Sequence, residues 1–243
     1  LDSDLSQIFR SILLTRPIKA SKRIKDELFA INNQLDIFIS PLMEIQYPTY
    51  DFFQQKDSRY VFTSENAILS LLSKGVKLAR VNVYCVGNQT RKLAINAGYN
   101  VVQTFSKVED MIVGLEKSEF TGKLFYFRGE HVSQDLKLVL GRKGIEVREL
   151  IVYNQRECSL AKEALNLLSE KPCLIPLYSA RTARLFSNEV KEIPAKGHLI
   201  LCMSENIKQG ITLDWETGVV SGGFNPKVLA RHSRMNVHNV ACG

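Results

Sequence analysis

ILLTRPIKASKRIKDEL (residues 12–28) and LFYFRGEHVSQDLKLVL (residues 124–140) share one layout. In each, a short apolar run enters an arginine (Arg16, Arg128), a residue that interrupts regular structure follows (Pro17, Gly129), and helical periodicity then takes over. Two looser pairs accompany this one. VFTSENA (61–67) and PLYSARTA (176–183) each step from an apolar strand through a hydroxyl into a helix, and VYCVGNQTRKLA (83–94) pairs with LILCMSENIKQG (199–210). The arginine unit comes first in one set and last in the other, so the halves read as permuted copies of one unit.

Between these stretches, apolar runs of strand length alternate with helical patterns, which marks βαβ units and parallel sheets. The expected strands are SILLT, DIFIS, YVFTS, RVNVYCVG, KLFYFRG, VRELIVY, CLIPLYS and HLILCMS. The expected helices are ASKRIKDELFAI, ENAILSLLSKG, TRKLAINAG, VSQDLKLVLGRKG, SLAKEALNLLSEK and RTARLFSNEV, with Gly98 and Gly144 as left-handed ends.

The permuted order implies a chain that begins one domain, leaves to build a second, and returns to finish the first. The exit is expected in SPLMEIQYP (40–48), because Pro41 and Pro48 suit linkers better than central strands, and the return in LIVYNQRE (150–157). The expected division is a discontinuous α/β domain over 1–42 plus 156–243, an inserted α/β domain over 48–151, and linker strands at 43–47 and 152–155.

Composition narrows the class. Hydrophobic residues make up 45% of the 243 and charged residues 23%, so the chain can bury a core and is expected to be globular. No run is long and apolar enough to span a bilayer, and the opening LDSDLSQIFR lacks the basic-then-apolar layout of a secretory signal; a cytoplasmic protein is expected. The five cysteines are scattered with no CxxC pair, which favours reduced, buried thiols over a metal site. A formal charge of +7 favours an anionic partner. Nucleic acid and an acidic small molecule both fit that charge, yet no RNA-recognition, zinc-finger or basic–aromatic pattern occurs.

The candidate site residues lie where strands turn into helices. A helix N-terminus carries unpaired N–H groups and about half a positive charge, so a Ser or Thr caps it and an anion binds it. Such corners fall at Thr63-Ser64, at Gly87-Asn88-Gln89-Thr90, at Arg128-Gly129-Glu130, at Ser179-Ala180-Arg181-Thr182 and at Ser204-Glu205-Asn206. In open parallel sheets they share the carboxyl edge, where ligands bind. Each hydroxyl is equally readable as an ordinary cap, and Arg16 and Arg128 as partners either of ligand carboxylates or of a neighbouring Asp or Glu. None of His131, His198, His232 and His238 has a metal-like spacing partner, and GxSxG, HExxH, Walker and GxG dinucleotide patterns do not occur.

At these corners the sequence resembles the uroporphyrinogen-III synthase family. The resemblance is carried by ILLTRP, VFTSENAI, VYCVGNQTRKLAINAGYNV, FYFRGEHVSQDLKLVLGRKGIEVRELIVYNQ, LYSARTARLF and LILCMSENIKQGI, in that order along most of the chain. It implies two flavodoxin-like parallel-sheet domains, one discontinuous, joined by a two-stranded linker, with the active site in the interdomain cleft. It also implies a monomer without cofactor, acting on the polycarboxylate hydroxymethylbilane and closing it with loss of water and inversion of the last pyrrole ring.

By the same resemblance Tyr153, in the returning stretch ELIVYNQ, is the expected proton donor. Arg16, Thr63, Ser64, Asn88, Gln89, Thr90, Arg128, Gly129, Ser179, Ala180, Arg181 and Ser204 are the expected substrate contacts. Two stretches depart from the family pattern. Ser204 stands where a Gly-led, Thr-containing turn is commoner, and FNPKVLARHSRMNVHNVACG (224–243) replaces the usual final helix with a polar, basic segment to which no role is assigned. The alternative reading is a two-domain protein that binds an acidic metabolite without chemistry; it needs no proton donor.

Overall fold

The structure is a computed structural model that describes residues 9–54, 58–76, 78, 81–118, 122–132, 134–195, 197–220 and 226–232. Its elements run β1 (Ser11–Leu14), α1 (Ile18–Ile31), β2 (Asp36–Ile39), β3 (Met43–Gln46), β4 (Ser58–Phe62), α2 (Glu65–Ser73), β5 (Asn82–Val86), α3 (Asn88–Asn96), β6 (Asn100–Phe105) and α4 (Val108–Glu116). They continue β7 (Lys123–Gly129), α5 (Leu136–Gly141), β8 (Val147–Glu157), α6 (Lys162–Glu170), β9 (Cys173–Leu177), α7 (Ala180–Glu189), β10 (Leu199–Cys202), α8 (Glu205–Lys208), β11 (Glu216–Val219) and α9 (Pro226–His232).

The chain divides into two compact units, one of residues 1–44 with 157–243 and the other of residues 45–156. The outer unit holds a five-stranded sheet in the order β11-β10-β9-β1-β2, and every described strand pair in it is parallel. Numbered along the chain, this is 2-1-3-4-5 read from the β2 edge, the flavodoxin order. The inserted unit orders its strands β8-β7-β4-β5-β6, with β3 beside β8 at the edge. Counting the outer unit from β9 instead of β1 turns its order into that of the inserted unit. The two sheets are therefore circular permutations, with β9, β10, β11, β1 and β2 standing for β4, β5, β6, β7 and β8.

Both faces of each sheet are covered. In the outer unit α6, α7 and α8 pack Leu167, Phe186 and Ile207 on one face, while α1 and α9 pack Ile24, Leu28 and Leu229 on the other. In the inserted unit α2 and α3 supply Ile68, Leu71 and Ala94 to one core, and α4 and α5 supply Met111, Leu115 and Leu140 to its counterpart. Burial of each large aliphatic side chain stabilises the fold by roughly 1.5–3 kcal/mol. Gly98 and Gly144 follow their helices with φ of +81° and +79°, as expected for left-handed ends.

The expected strands all form. Those not expected are β6 and β11, and the helices not expected are α4 and α9; the helix expected after Ser204 forms as the single turn α8. NVVQTF in β6 alternates weakly because only Phe105 is buried in it. ETGV in β11 has no buried residue at all, a pattern that neither period reveals. The helix expected from Val132 begins only at Leu136, where the Asp135 side chain accepts from the Leu138 N–H at 2.8 Å. The segment after Gly223 is also corrected: residues 226–232 form α9, with Leu229 fully buried beside α1, in the place that α4 fills in the inserted unit. Residues 233–243, with His238 and Cys242, lie outside the described residues. No helix among the described residues is long and apolar enough to cross a membrane.

Candidate active site

The inserted unit gathers most of the chemistry on the α2 side of its sheet. Strand β4 ends at Phe62, and Thr63 and Ser64 make the turn into α2. Ser64 is the N-cap, its hydroxyl accepting from the Asn66 N–H at 3.2 Å. That answers one demand of the helix start and also places an oxygen at the positive end of α2. The Thr63 hydroxyl instead meets the Tyr126 hydroxyl at 3.0 Å.

Tyr153 reaches this corner from β8. Along β7 and β8 the register runs Arg128 to Ile151 and then Gly129 to Tyr153, leaving Val152 as a bulge. Consecutive strand residues ordinarily point to opposite faces, yet Val152 and Tyr153 both join the core under α2 and α3. Helix α2 fixes the bulge, since the Ser70 hydroxyl donates to the Val152 carbonyl and is itself within 3.0 Å of the Tyr50 hydroxyl. The Glu130 N–H donates to the Tyr153 carbonyl at 3.0 Å, locking the other side of the bulge.

The Tyr153 side chain is only 9% exposed and lies beside Ser64. Burial pushes its pKa above the ordinary 10, and the Ser64 contact pulls the other way without cancelling it. The phenol is therefore protonated at neutral pH. Tyr126 and Tyr47 are raised by burial as well, and Tyr47 further by Glu65. Three phenols and a helix N-terminus thus share one region.

Arg128 is already engaged. Its Nε lies 3.2 Å from Glu149, and its Nη1 donates to the carbonyls of Gly129 and Glu130 at 2.9 and 3.0 Å. Of the two partners that the sequence allowed, the structure shows the neighbouring carboxylate. The Arg128-Gly129-Glu130 corner is also not a helix start, because Gly129 is still in β7 and α5 begins seven residues later. In the third corner Gly87 caps α3 with φ of +83°, Asn88 and Gln89 lie in its first turn, and Thr90 is buried at 4%.

The outer unit carries the equivalent corners. Ser179 caps α7, accepting from the Thr182 N–H at 3.1 Å and meeting the Thr182 hydroxyl at 2.8 Å. Ala180 opens that helix, and Arg181 pairs with Glu157 at 2.8 Å. Arg16 lies over the Tyr178 ring, 4.4 Å from its centroid. Ser204 precedes the single turn α8 and its side chain makes no cap bond; it is exposed. His198, which the sequence left without a role, is a core residue: Nδ1 accepts from the Cys173 N–H at 3.2 Å and the ring stacks on Trp215.

Sequence reasoning missed Ser70 and Tyr50, which hold the bulge, and Tyr126, which holds Thr63. An out-of-step hydrophobic pattern in ELIVYNQ, with Val152 and Tyr153 both core-like, is the signal that could have exposed the bulge.

Two permuted, parallel-stranded α/β units define the class of the chain by its fold, and one of them carries a buried phenol at a capped helix start. The family model of uroporphyrinogen-III synthase HemD matches residues 30–227, and the chain belongs to the uroporphyrinogen-III synthase family, lyases of haem and tetrapyrrole biosynthesis. Solved structures agree in fold. Uroporphyrinogen-III synthetase from Helicobacter pylori is similar at 18% identity and a TM-score of 0.59, covering 80% of this chain and 89% of that one. A mutant uroporphyrinogen III synthase from the extremely thermophilic bacterium Thermus thermophilus is similar at 11% identity and a TM-score of 0.53, covering 92% and 97%. No curated protein sequence matches significantly.

Proposed function

We propose that this chain cyclises hydroxymethylbilane to uroporphyrinogen III with Tyr153 as the proton donor and the capped strand ends as carboxylate holders. The phenol O–H bond breaks toward the departing hydroxyl, the carbon–oxygen bond breaks with it, and water leaves. The pyrrole nitrogen's electron pair stabilises the cation that remains. The proton later lost from a pyrrole carbon at ring closure returns to the tyrosinate, so the enzyme ends as it began. Ser64, at the positive end of α2, stabilises the tyrosinate in between.

The buried phenol, turned by the bulge onto Gly129 beside the start of α2, is the observation that carries this reading. A protonated donor so placed supplies roughly a hundred- to ten-thousand-fold, about 3–5 kcal/mol. Holding the flexible bilane in the geometry that leads to inversion is the larger contribution, up to roughly 7–11 kcal/mol. The N–H groups at the start of α2, α3 and α7, with Thr63, Ser64, Asn88, Gln89, Ser179, Ala180 and Arg181, are offered for its carboxylates. Arg16 and Arg128 stand at matching strand ends while engaged by Tyr178 and Glu149. Thr90 and Ser204 receive the weakest support, the first because it is buried and the second because its helix is a single turn.

A cytoplasmic monomer with no nucleic-acid partner completes the proposal. The test is a coupled assay in which hydroxymethylbilane is generated in the presence of the protein and the product isomers are separated. Isomer III in place of the spontaneous isomer I is expected; unchanged isomer I overturns the proposal.

A further inference from the structure

Gly129 has a conformation that any residue could adopt, because its φ is not in the left-handed region. Nor does the architecture require glycine there, since the permuted copy places Pro17 after the matching Arg16. What a side chain at 129 would meet is a single group. The three nearest atoms to an added Cβ all belong to Tyr153: Cε2 and Cζ at 2.7 Å and Oη at 2.9 Å. Real Cβ atoms essentially never approach so closely, and the obstacle is the reactive end of the ring.

We infer that Gly129 is a positioning residue for the ring-closing reaction, its bare Cα forming the seat on which the Tyr153 phenol lies at the start of α2. This rests on the reading of Tyr153 as donor. The surroundings fix the seat from three sides. The bulge brings Tyr153 opposite Gly129. The Glu130 N–H holds the Tyr153 carbonyl, and the Arg128 guanidinium grips the carbonyls of Gly129 and Glu130. With the backbone held on both strands, a methyl group at 129 must displace the ring, and the hydroxyl leaves Ser64. The rate depends on the same contact, because a phenol off by about an ångström protonates the bilane's hydroxyl poorly, and a misplacement of that size costs about 100-fold.

The test is a cycle of Gly129→Ala, Tyr153→Phe, Tyr153→Ala and the Gly129→Ala/Tyr153→Ala double variant, read by isomer-III kinetics, urea unfolding and fluorine NMR of 3-fluorotyrosine-labelled protein. Gly129→Ala is expected to lower kcat by about 100-fold with KM little changed and to shift the resonance that Tyr153→Phe removes. It is expected to destabilise the wild-type background but not the Tyr153→Ala background, so the double variant folds as Tyr153→Ala does even if Gly129→Ala alone does not fold. Wild-type kcat and an unmoved resonance in Gly129→Ala, or equal destabilisation in both backgrounds, overturns the seat. The donor reading fails separately, through a wild-type rate in Tyr153→Phe.

Discussion

The two units are one sheet order cut at different points, yet they use their matching corners differently. In the outer unit the strand-end arginine, Arg16, lies on the Tyr178 ring and is followed by Pro17. In the inserted unit Arg128 pairs with Glu149 and is followed by Gly129, beneath the Tyr153 ring. Ser179 and Ser64 both cap helices, but the hydroxyl that Ser179 meets belongs to its own helix, whereas Ser64 reaches a phenol from another strand. The fold needs only a cap at this corner. In the inserted copy a bulge also turns the Tyr153 phenol into the core at the cap, whereas the phenol before the outer cap, Tyr178, lies under Arg16.

The cores differ in the same direction. The inserted unit stacks Tyr60, Phe62 and Phe127, with Phe52 edge-on to Phe127 at 4.9 Å, whereas the outer unit's corresponding core is mostly aliphatic around Phe186 and Trp215. Phe127→Ala is expected to cost about 3–5 kcal/mol, because a fully buried ring is removed from a stack that cannot collapse. Urea unfolding of that variant measures it. A loss under about 1 kcal/mol would mean that the stack relaxes and does not hold the strand that carries Gly129.

The capping serines give the sharper contrast. Each Ser→Ala change removes a cap bond and is expected to cost about 1 kcal/mol of stability. Ser64→Ala is expected to lower kcat about tenfold in addition, a loss of about 1.4 kcal/mol from the transition state, because Tyr153 loses its partner. Ser179→Ala is expected to act on stability and KM alone. Equal kcat losses in the two variants would remove the distinction between the corners.

His198 tests the outer core by pH. Burial lowers its pKa below the ordinary 6.5, a donated bond to the Leu168 carbonyl opposing this in part. The folded state therefore favours the neutral ring, whose Nδ1 accepts from Cys173. Below pH 6.5 the unfolded chain takes up the proton first, so stability is full above that pH and is lost as pH falls through the folded value. Urea midpoints between about pH 8 and about pH 5 are expected to fall for the wild type and to fall less for His198→Gln. The smallest effect is expected for Arg181→Ala: its partner Glu157 is about half exposed, and such pairs contribute about 0–1 kcal/mol.

Much of this was legible in the sequence because it depends on local pattern. The permuted pairing of Arg16 with Arg128 and of Ser179 with Ser64 follows from apolar runs and hydroxyl steps, and the two sheets are related by the same permutation. The seat of Tyr153 was not legible. A glycine beside an arginine reads as a turn, and only strand register shows that residue 129 faces residue 153 across a bulge. The Arg128–Glu149 pair was hidden for the same reason, since its members lie on neighbouring strands. In LILCMSENIKQG, Ser204 read as a cap, but the following helix is too short to depend on one. Weakly patterned edges such as β11 escaped because an edge strand with little buried surface leaves little periodicity.

Single-turnover conversion of hydroxymethylbilane by Tyr153→Phe, with the isomers resolved, probes the division of labour most directly. The expected result is a rate lowered roughly a hundred- to ten-thousand-fold, unchanged unfolding, and isomer III still the enzymic product, because grip is kept while the donor is lost. A wild-type rate in that variant would contradict the assignment of acid chemistry to the inserted unit.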